Sequence, residues 1–262
     1  MDLQLRGKAA LVTGGSRGIG RAIALALARE GVDVAICARG PEALETTADE
    51  IKQAGVRALS IKADMAVAAD CQRAVDATAE IFGRLDILVN NAAGFKSGRF
   101  AELTDEELLS RIYVKTLGYI RCSRAAIPHM RKQGGGRIIC IGGTAARNPG
   151  GTTLPSGLGN AAIVNFAKHL ADELAPEQIL LNVIHPPGSI RSGPFPERRA
   201  AVAKSRGISL EEAERVLASP IGRVLEPDDV AGLVVFLASR QASGITGQTI
   251  AVDGGISRGI VY

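Results

Sequence analysis

The segment Thr13-Gly14-Gly15-Ser16-Arg17-Gly18-Ile19-Gly20 restricts this chain to few folds. Residues 8–13 before it form a short apolar run of strand type, and residues 19–30 after it form an Ala/Leu-rich helical run stopped by Gly31. A glycine string that leaves a strand and opens a helix lets the backbone turn tightly and approach a pyrophosphate. The helix adds unpaired N–H groups and the positive end of its dipole. Glycines alone are weak evidence, since all turns favour them; the strand before and the helix after make the signal specific. The expected contacts are Gly14, Ser16, Arg17, Gly18, Ile19 and Gly20.

Beyond this loop, short strand-like runs alternate with longer helical ones. The strand-like runs are residues 8–13, 32–37, 56–62, 85–89, 137–141, 179–184 and 248–252. Strict alternation predicts an α/β fold with a doubly wound parallel sheet covered by helices on both faces. Thr104 with Glu107 three residues on is a capping box, and predicts a helix that could run to Arg131 unless Pro128 bends or ends it. Residues 157–174 read as another helix, and residues 186–220 as loop with short helices. Aromatic residues make up 3% of the chain, so the core must be built from Ala, Val, Ile and Leu. The 262 residues show no repeat or interdomain linker and are expected to form one domain over 1–262, with a lid at about 188–220.

The net charge of +4 is spread along the chain, with no basic stripe interleaved with aromatics. This argues against nucleic acid as a partner. No apolar run has the length of a membrane span, and residues 1–8 carry no apolar signal core. Cys37, Cys71, Cys122 and Cys140 form no C-x-x-C pair and have no metal-ligand spacing with His129, His169 or His185. Cys37 and Cys140 lie in apolar strand-like runs and read as buried thiols, which fits a reducing cytoplasm. No metal is expected.

The end of the second strand bears on cofactor choice. NAD sites usually place an acid there to bind the ribose hydroxyls. Here the strand ends Ile36-Cys37-Ala38-Arg39. A carboxylate would repel a 2′-phosphate, whereas Arg39 can pair with one in two-pronged fashion and Arg17 can close on it from the glycine loop. The expected cofactor is NADP(H).

Several separated motifs together resemble the short-chain dehydrogenase/reductase family over nearly the whole chain. The glycine loop is of the T-G-x-x-x-G-x-G type. Asp64-Met65 resembles the family's adenine-contacting pair. Leu88-Val89-Asn90-Asn91-Ala92-Ala93-Gly94 resembles its N-N-A-G motif with one extra Ala, and Asp253-Gly254-Gly255 closes the chain as in many members. The resemblance implies a Rossmann-type sheet of seven strands and cofactor contacts at Asp64, Met65, Asn91, Ala92 and Gly94. It also implies a homotetramer, or at least a homodimer, joined through the longest helices. After the sixth strand, His185-Pro186-Pro187-Gly188-Ser189-Ile190-Arg191-Ser192 is one residue longer than the family's Pro-Gly segment. Ile190 and Ser192 would meet the nicotinamide carboxamide if the extra proline bulges out.

The family's chemistry is hydride transfer between the nicotinamide and a carbonyl or alcohol. A Tyr donates the proton, a Lys four residues on lowers the Tyr pKa, a Ser polarises the oxygen and an Asn completes a relay. Aligned with the family, these four positions hold Ser156 for Tyr, Asn160 for Lys, Gly143 for Ser and Lys115 for Asn. Residues 142–168 contain no Tyr; the three in the chain are Tyr113, Tyr119 and Tyr262. The Lys and Asn look exchanged between positions 115 and 160. If both face one cleft, a positive charge survives there from the other helix, and a water could join Lys115 to Ser156. The candidate catalytic residues are therefore Ser156 and Lys115. Dienoyl-CoA reductases of the family are similar at Asn90–Gly94 and Pro155-Ser156, but they keep the Lys.

For Tyr119, one turn after Lys115, packing is the expected role, and a structural role is expected for His185. Arg191, Arg198, Arg199, Lys204 and Arg206 read either as a surface for an anionic small molecule such as an acyl-CoA or as a solvated face. Two functional readings stand: an NADP(H)-dependent oxidoreductase with a non-standard site, and an NADP(H)-binding pseudoenzyme acting as sensor or partner subunit.

Overall fold

A computed structural model describes residues 2–94 and 98–258. The first strand, β1 (Ala9–Thr13), leads through the glycine loop into α1 (Gly18–Arg29). Alternation continues with β2 (Asp33–Ala38), α2 (Pro41–Gln53), β3 (Ala58–Lys62), α3 (Ala68–Phe82) and β4 (Ile87–Asn90). The second half holds α4 (Asp105–Arg111), α5 (Gly118–Lys132), β5 (Gly136–Ile141), α6 (Leu154–Leu174), β6 (Ile179–His185), α7 (Phe195–Arg206), α8 (Leu210–Leu217), α9 (Pro227–Ala238) and β7 (Thr249–Ala251). The seven strands are parallel in the order β3-β2-β1-β4-β5-β6-β7, which is the expected Rossmann-type α/β sheet.

The register sets Leu11 beside Ala35 on one side and Leu88 on the other. Strand alternation then divides the core between the two faces. Leu11, Cys37, Leu88 and Cys140 pack with α3, α5 and α6, whereas Val12, Ile36, Val89 and Ile139 pack with α1, α2 and α9. Because β2 and β4 leave β1 in opposite directions, the crevice at their carboxyl ends lies at the sheet's topological switch, where α/β proteins take ligands. All four cysteines are free and buried, as expected for Cys37 and Cys140. No helix among the described residues is long and apolar enough to cross a membrane.

Local rules account for most helix ends. Thr104 Oγ1 accepts from Glu107 N at 3.3 Å and Thr104 N donates to Glu107 Oε2 at 3.1 Å, the predicted capping box. The helix begun at Thr104 runs through Pro128 to Lys132, as expected, with a π-helical stretch, Ile112–Leu117, between α4 and α5. Two expectations need correction. Helix α6 begins at Leu154, because Pro155 sits in the first turn, where a missing N–H costs nothing; Ser156 is thus helical. Residues 195–206 form a full helix rather than loop, anchored by the buried Phe195 and stopped by Gly207 at φ +63°.

At the opposite end of the sheet from the crevice, Asp86 fastens β1 to β4. Its carboxylate accepts from Ala9 N at 2.9 Å, from Arg84 at 2.6 and 2.7 Å and from Lys8 at 3.2 Å. Burial pushes the carboxyl pKa up, but these bonds outweigh it and hold the group below the ordinary carboxylate range. Asp86→Ala is expected to cost about 2–4 kcal/mol in thermal or denaturant unfolding near pH 7. The deficit should narrow below about pH 4, where wild type also loses the bond as the carboxylate protonates. A deficit unchanged with pH would show that the charge contributes nothing.

Candidate active site

At the end of β1, the glycine loop is packed against the end of β4. Asn91 Nδ2 donates to Thr13 O at 2.9 Å and Gly14 O at 3.2 Å, while Thr13 Oγ1 accepts from Asn91 N at 2.9 Å and Ala92 N at 3.1 Å. A Cβ on Gly20 would lie 2.2 Å from Gly14 O and 2.5 Å from Asn91 Nδ2, so this glycine is demanded by the protein's own backbone. Gly18, at φ +55°, faces Ser192 instead, whose Cβ is 3.3 Å from where a side chain would begin. Ser16 O accepts from Thr47 Oγ1, which ties the loop to α2. Arg17 gives α1 no side-chain cap, so the first-turn amides around Gly18, Ile19 and Gly20 remain available to an anion. The loop therefore fits a dinucleotide pyrophosphate.

Arg17 and Arg39 are both exposed at this end of the sheet, and neither is in an ion pair among the described residues. Asp64 is half-buried, with Oδ1 accepting from Ala66 N at 2.9 Å. Met65 departs from expectation. Its Sδ lies 3.6 Å from Cys122 Sγ and 4.0 Å from Cys71 Sγ, so the side chain belongs to the core and only its backbone can face a ligand. Gly94 O accepts from Arg111 of α4, and the extra Ala93 stays exposed.

Two backbone bonds fix the longer Pro-Pro segment. Pro186 O accepts from Thr144 N, extending the β5–β6 pairing, and the turn 187–190 closes with Ile190 N donating to Pro187 O at 3.3 Å. The Ile190 side chain is buried in the core, which leaves Ser192 rather than Ile190 at the glycine loop.

The second half of the site converges on Gly142-Gly143, just past β5. Lys115 lies in the π-helical stretch, where the wider turn re-aims side chains, and it is only 3% exposed. Its Nζ donates to Gly142 O at 2.9 Å. Burial and, next, the Arg111 guanidinium push the Lys115 amine down to about 7, so the cation expected there is only partly charged at neutral pH. Tyr119 does share the Lys115 face, with its ring centroid 6.0 Å from Nζ, but it is a core residue whose hydroxyl donates to Ile141 O at 3.0 Å. Ser156 is half-buried in the first turn of α6, and no direct hydrogen bond joins it to Lys115.

From α6, Asn160 Nδ2 reaches 2.7 Å from where a Gly143 Cβ would be. From β6, His185 Nε2 reaches 2.7 Å from the equivalent point on Gly142. His185 was expected to be structural, yet Nε2 is buried without a partner among the described residues, and burial, with Arg147 and Lys115 nearby, lowers the imidazole to about 4. The Lys/Asn exchange had placed Lys115 and Asn160 at one cleft, and what sequence did not show was His185 beside them; the visible sign was two adjacent glycines directly after a strand. Of the basic residues over 191–206, Arg191 pairs with Glu214 and Glu226, Arg199 with Glu214, and Arg198 donates to Gly188 O. Two of the five cations, Arg191 and Arg199, are thus ion-paired, while Arg198, Lys204 and Arg206 have no ion pair among the described residues, so the basic surface offered to an anionic ligand is reduced to these three.

The enoyl-(acyl carrier protein) reductase family model matches residues 14–257. The chain is 38% identical over 247 residues to the short-chain reductase protein NovJ of Streptomyces niveus, covering 94% of this chain and 92% of that protein. It is 33% identical over 257 residues to the NADPH-dependent reductase BacG of Bacillus subtilis (strain 168), covering 97% and 99%. The solved L-sorbose reductase from Gluconobacter frateurii, complexed with NADPH and L-sorbose, matches with a TM-score of 0.94 at 31% identity, covering 99% of this chain and 100% of that one.

The Lys115 amine sets a pH dependence of stability. Its folded pKa of about 7 lies below the unfolded value, so between the two the unfolded chain binds the extra proton. The fold therefore loses stability as pH falls from about 10 to 7, and the cost is fully present below that. Lys115→Met should relieve it. Relative to wild type, the variant is expected to be on the order of 3 kcal/mol more favourable at pH 6 than at pH 10 in denaturant unfolding. Equal differences at the two pH values would contradict a depressed amine.

Proposed function

The chain belongs to the short-chain dehydrogenase/reductase family, and from that premise we propose that it is an NADP(H)-dependent oxidoreductase with a non-standard proton-handling site. Its substrate is a small molecule carrying a carbonyl or the corresponding alcohol. When bound, the cofactor supplies or accepts the hydride. The observation that carries the cofactor half is the uncapped N-terminus of α1 beside two exposed arginines, with no acid at the end of β2. The amides of Gly18, Ile19 and Gly20 hold the pyrophosphate, Arg17 and Arg39 hold the 2′-phosphate, and Asp64, Asn91, Ala92 and Gly94 line the rest of the crevice.

In the chemical half, the Lys115 amine holds an exchangeable proton at neutral pH, which suits a general acid. The Ser156 hydroxyl, with a water between it and Lys115, hands that proton to the substrate oxygen. Ser156 is a weak acid on a short side chain. Loss of a positioned phenol typically costs a factor of about 100 to 10,000, so turnover is slow and confined to activated carbonyls. The pseudoenzyme reading is favoured by one observation: the Lys115 amine is closed beneath Gly142 O.

We further assign residues 1–262 to one domain, with α7 and α8 as the lid over 188–220. The assembly is a homodimer or homotetramer joined through the α4–α5 and α6 faces, where Leu109, Tyr113 and Leu158 are exposed. Four free, buried cysteines suit the cytoplasm.

Fluorescence titration should show NADPH binding at least about tenfold more tightly than NADH, with Arg39→Glu erasing the preference. NADH binding as well as NADPH would overturn the assignment of Arg39. An activated dicarbonyl such as 2,3-butanedione should be reduced slowly, with a rate that falls above about pH 7 as Lys115 loses its proton. Binding of NADPH with no turnover on a panel of activated carbonyls would establish the pseudoenzyme reading instead.

A further inference from the structure

Gly142 and Gly143 form a side-chain-free dipeptide at the carboxyl end of β5, on the edge of the crevice that the strand order creates. Three polar side chains from three different elements converge on it: Lys115 on the carbonyl of Gly142, His185 against its Cα face, and Asn160 against Gly143. They are 3%, 2% and 3% exposed. Buried polar atoms are nearly always paired, because an unpaired one keeps its full desolvation cost. Here Asn160 Oδ1 and His185 Nε2 are both buried without a partner among the described residues, on side chains that approach adjacent residues of the same dipeptide. The unpaired Asn160 Oδ1 accepts, and His185 Nε2 accepts or donates with the tautomer, so the place is suited to polar atoms from outside the protein, a donor for Oδ1 among them.

The contacts at Gly143 concern the other end of the same carboxamide, Nδ2. A side chain beginning at residue 143 would run into Asn160 Nδ2 at 2.7 Å, so the carboxamide already occupies the volume such a side chain would fill. It presents an N–H donor there, and a carboxamide N–H is suited to an oxygen on which negative charge develops. It neither gives up nor takes a proton.

We propose that Asn160 is the residue that polarises the substrate's carbonyl oxygen, donating from Nδ2 in the space that Gly143 leaves without a side chain. The inference deepens the reductase reading and rests on it. It assigns polarisation to Asn160 and proton supply to Lys115, which approach the dipeptide from different helices. The ligand class is a carbonyl compound, whose oxygen accepts from Asn160 Nδ2.

The test uses the full chain with NADPH bound and isobutyramide, whose carbonyl accepts hydrogen bonds and is not reduced, followed through NADPH fluorescence. Wild type should bind the amide. Asn160→Leu, which keeps the volume and removes the donor, should weaken it at least about tenfold while changing NADPH affinity less than about twofold. Asn160→Ala combined with Gly143→Ser, which offers a hydroxyl from the vacated space, should restore binding to within about threefold of wild type. Thermal unfolding verifies that each variant is folded, and the restored double variant excludes a merely structural loss. Undiminished amide binding by Asn160→Leu would overturn the proposal, as would a folded double variant that fails to rescue or a wild-type NADPH complex that binds no isobutyramide. A chain that binds no NADPH overturns the cofactor reading and this inference together. A chain that binds NADPH and the amide but reduces no carbonyl overturns the reductase reading alone, and the variants then decide the role of Asn160.

Discussion

The carboxamide of Asn91 is the tie on which the rest of the site depends. By donating to the carbonyls of Thr13 and Gly14, it joins the ends of β1 and β4 at the point where the sheet changes direction. The contact is close enough that Gly20 has no room for a side chain. The glycine loop is consequently shaped by the protein itself, and a pyrophosphate bound there would meet amides that are already arranged. Such preorganisation spares a ligand the cost of ordering the loop. Asp86 makes the matching tie at the far end of the same two strands, so the central sheet is pinned at both ends.

The catalytic half obeys a different physical logic. A lysine is buried beside an arginine: burial lowers the proton affinity of both, and the Arg111 charge lowers that of Lys115 further. The cost is offset only in part by the bond from Lys115 to Gly142 O. The π-helical stretch delivers this side chain to the end of β5, and a regular helix would aim residue 115 elsewhere. Stability given up in this way is expected at a functional site, where a group's proton affinity matters more than its contribution to the fold.

Sequence and structure agree for most features with local determinants, the early start of α6 at Leu154 being an exception. The glycine loop, the Thr104–Glu107 box and the strand alternation depend on residues close in sequence, and each forms where it was read. Other features depend on partners far along the chain. Met65 turns into the core because Cys71 and Cys122 stand behind it. Arg191 and Arg199 are paired with Glu214 and Glu226, the first on a helix whose packing no local pattern reveals. The convergence of Lys115, Asn160 and His185 was the least legible, since their sequence separations say nothing about a common target. The exchange of Lys and Asn between positions 115 and 160 pointed to it, but not to the burial that brings the amine near neutrality.

A crystal structure of the protein with NADP+ bound tests the central claim most directly. The account predicts the pyrophosphate on the amides of Gly18–Gly20 and the 2′-phosphate between Arg17 and Arg39. It also places Lys115 Nζ and Asn160 Nδ2 within one water of an oxygen positioned over the nicotinamide C4. A 2′-phosphate that touches neither arginine, or a nicotinamide directed away from Gly142-Gly143, would contradict it.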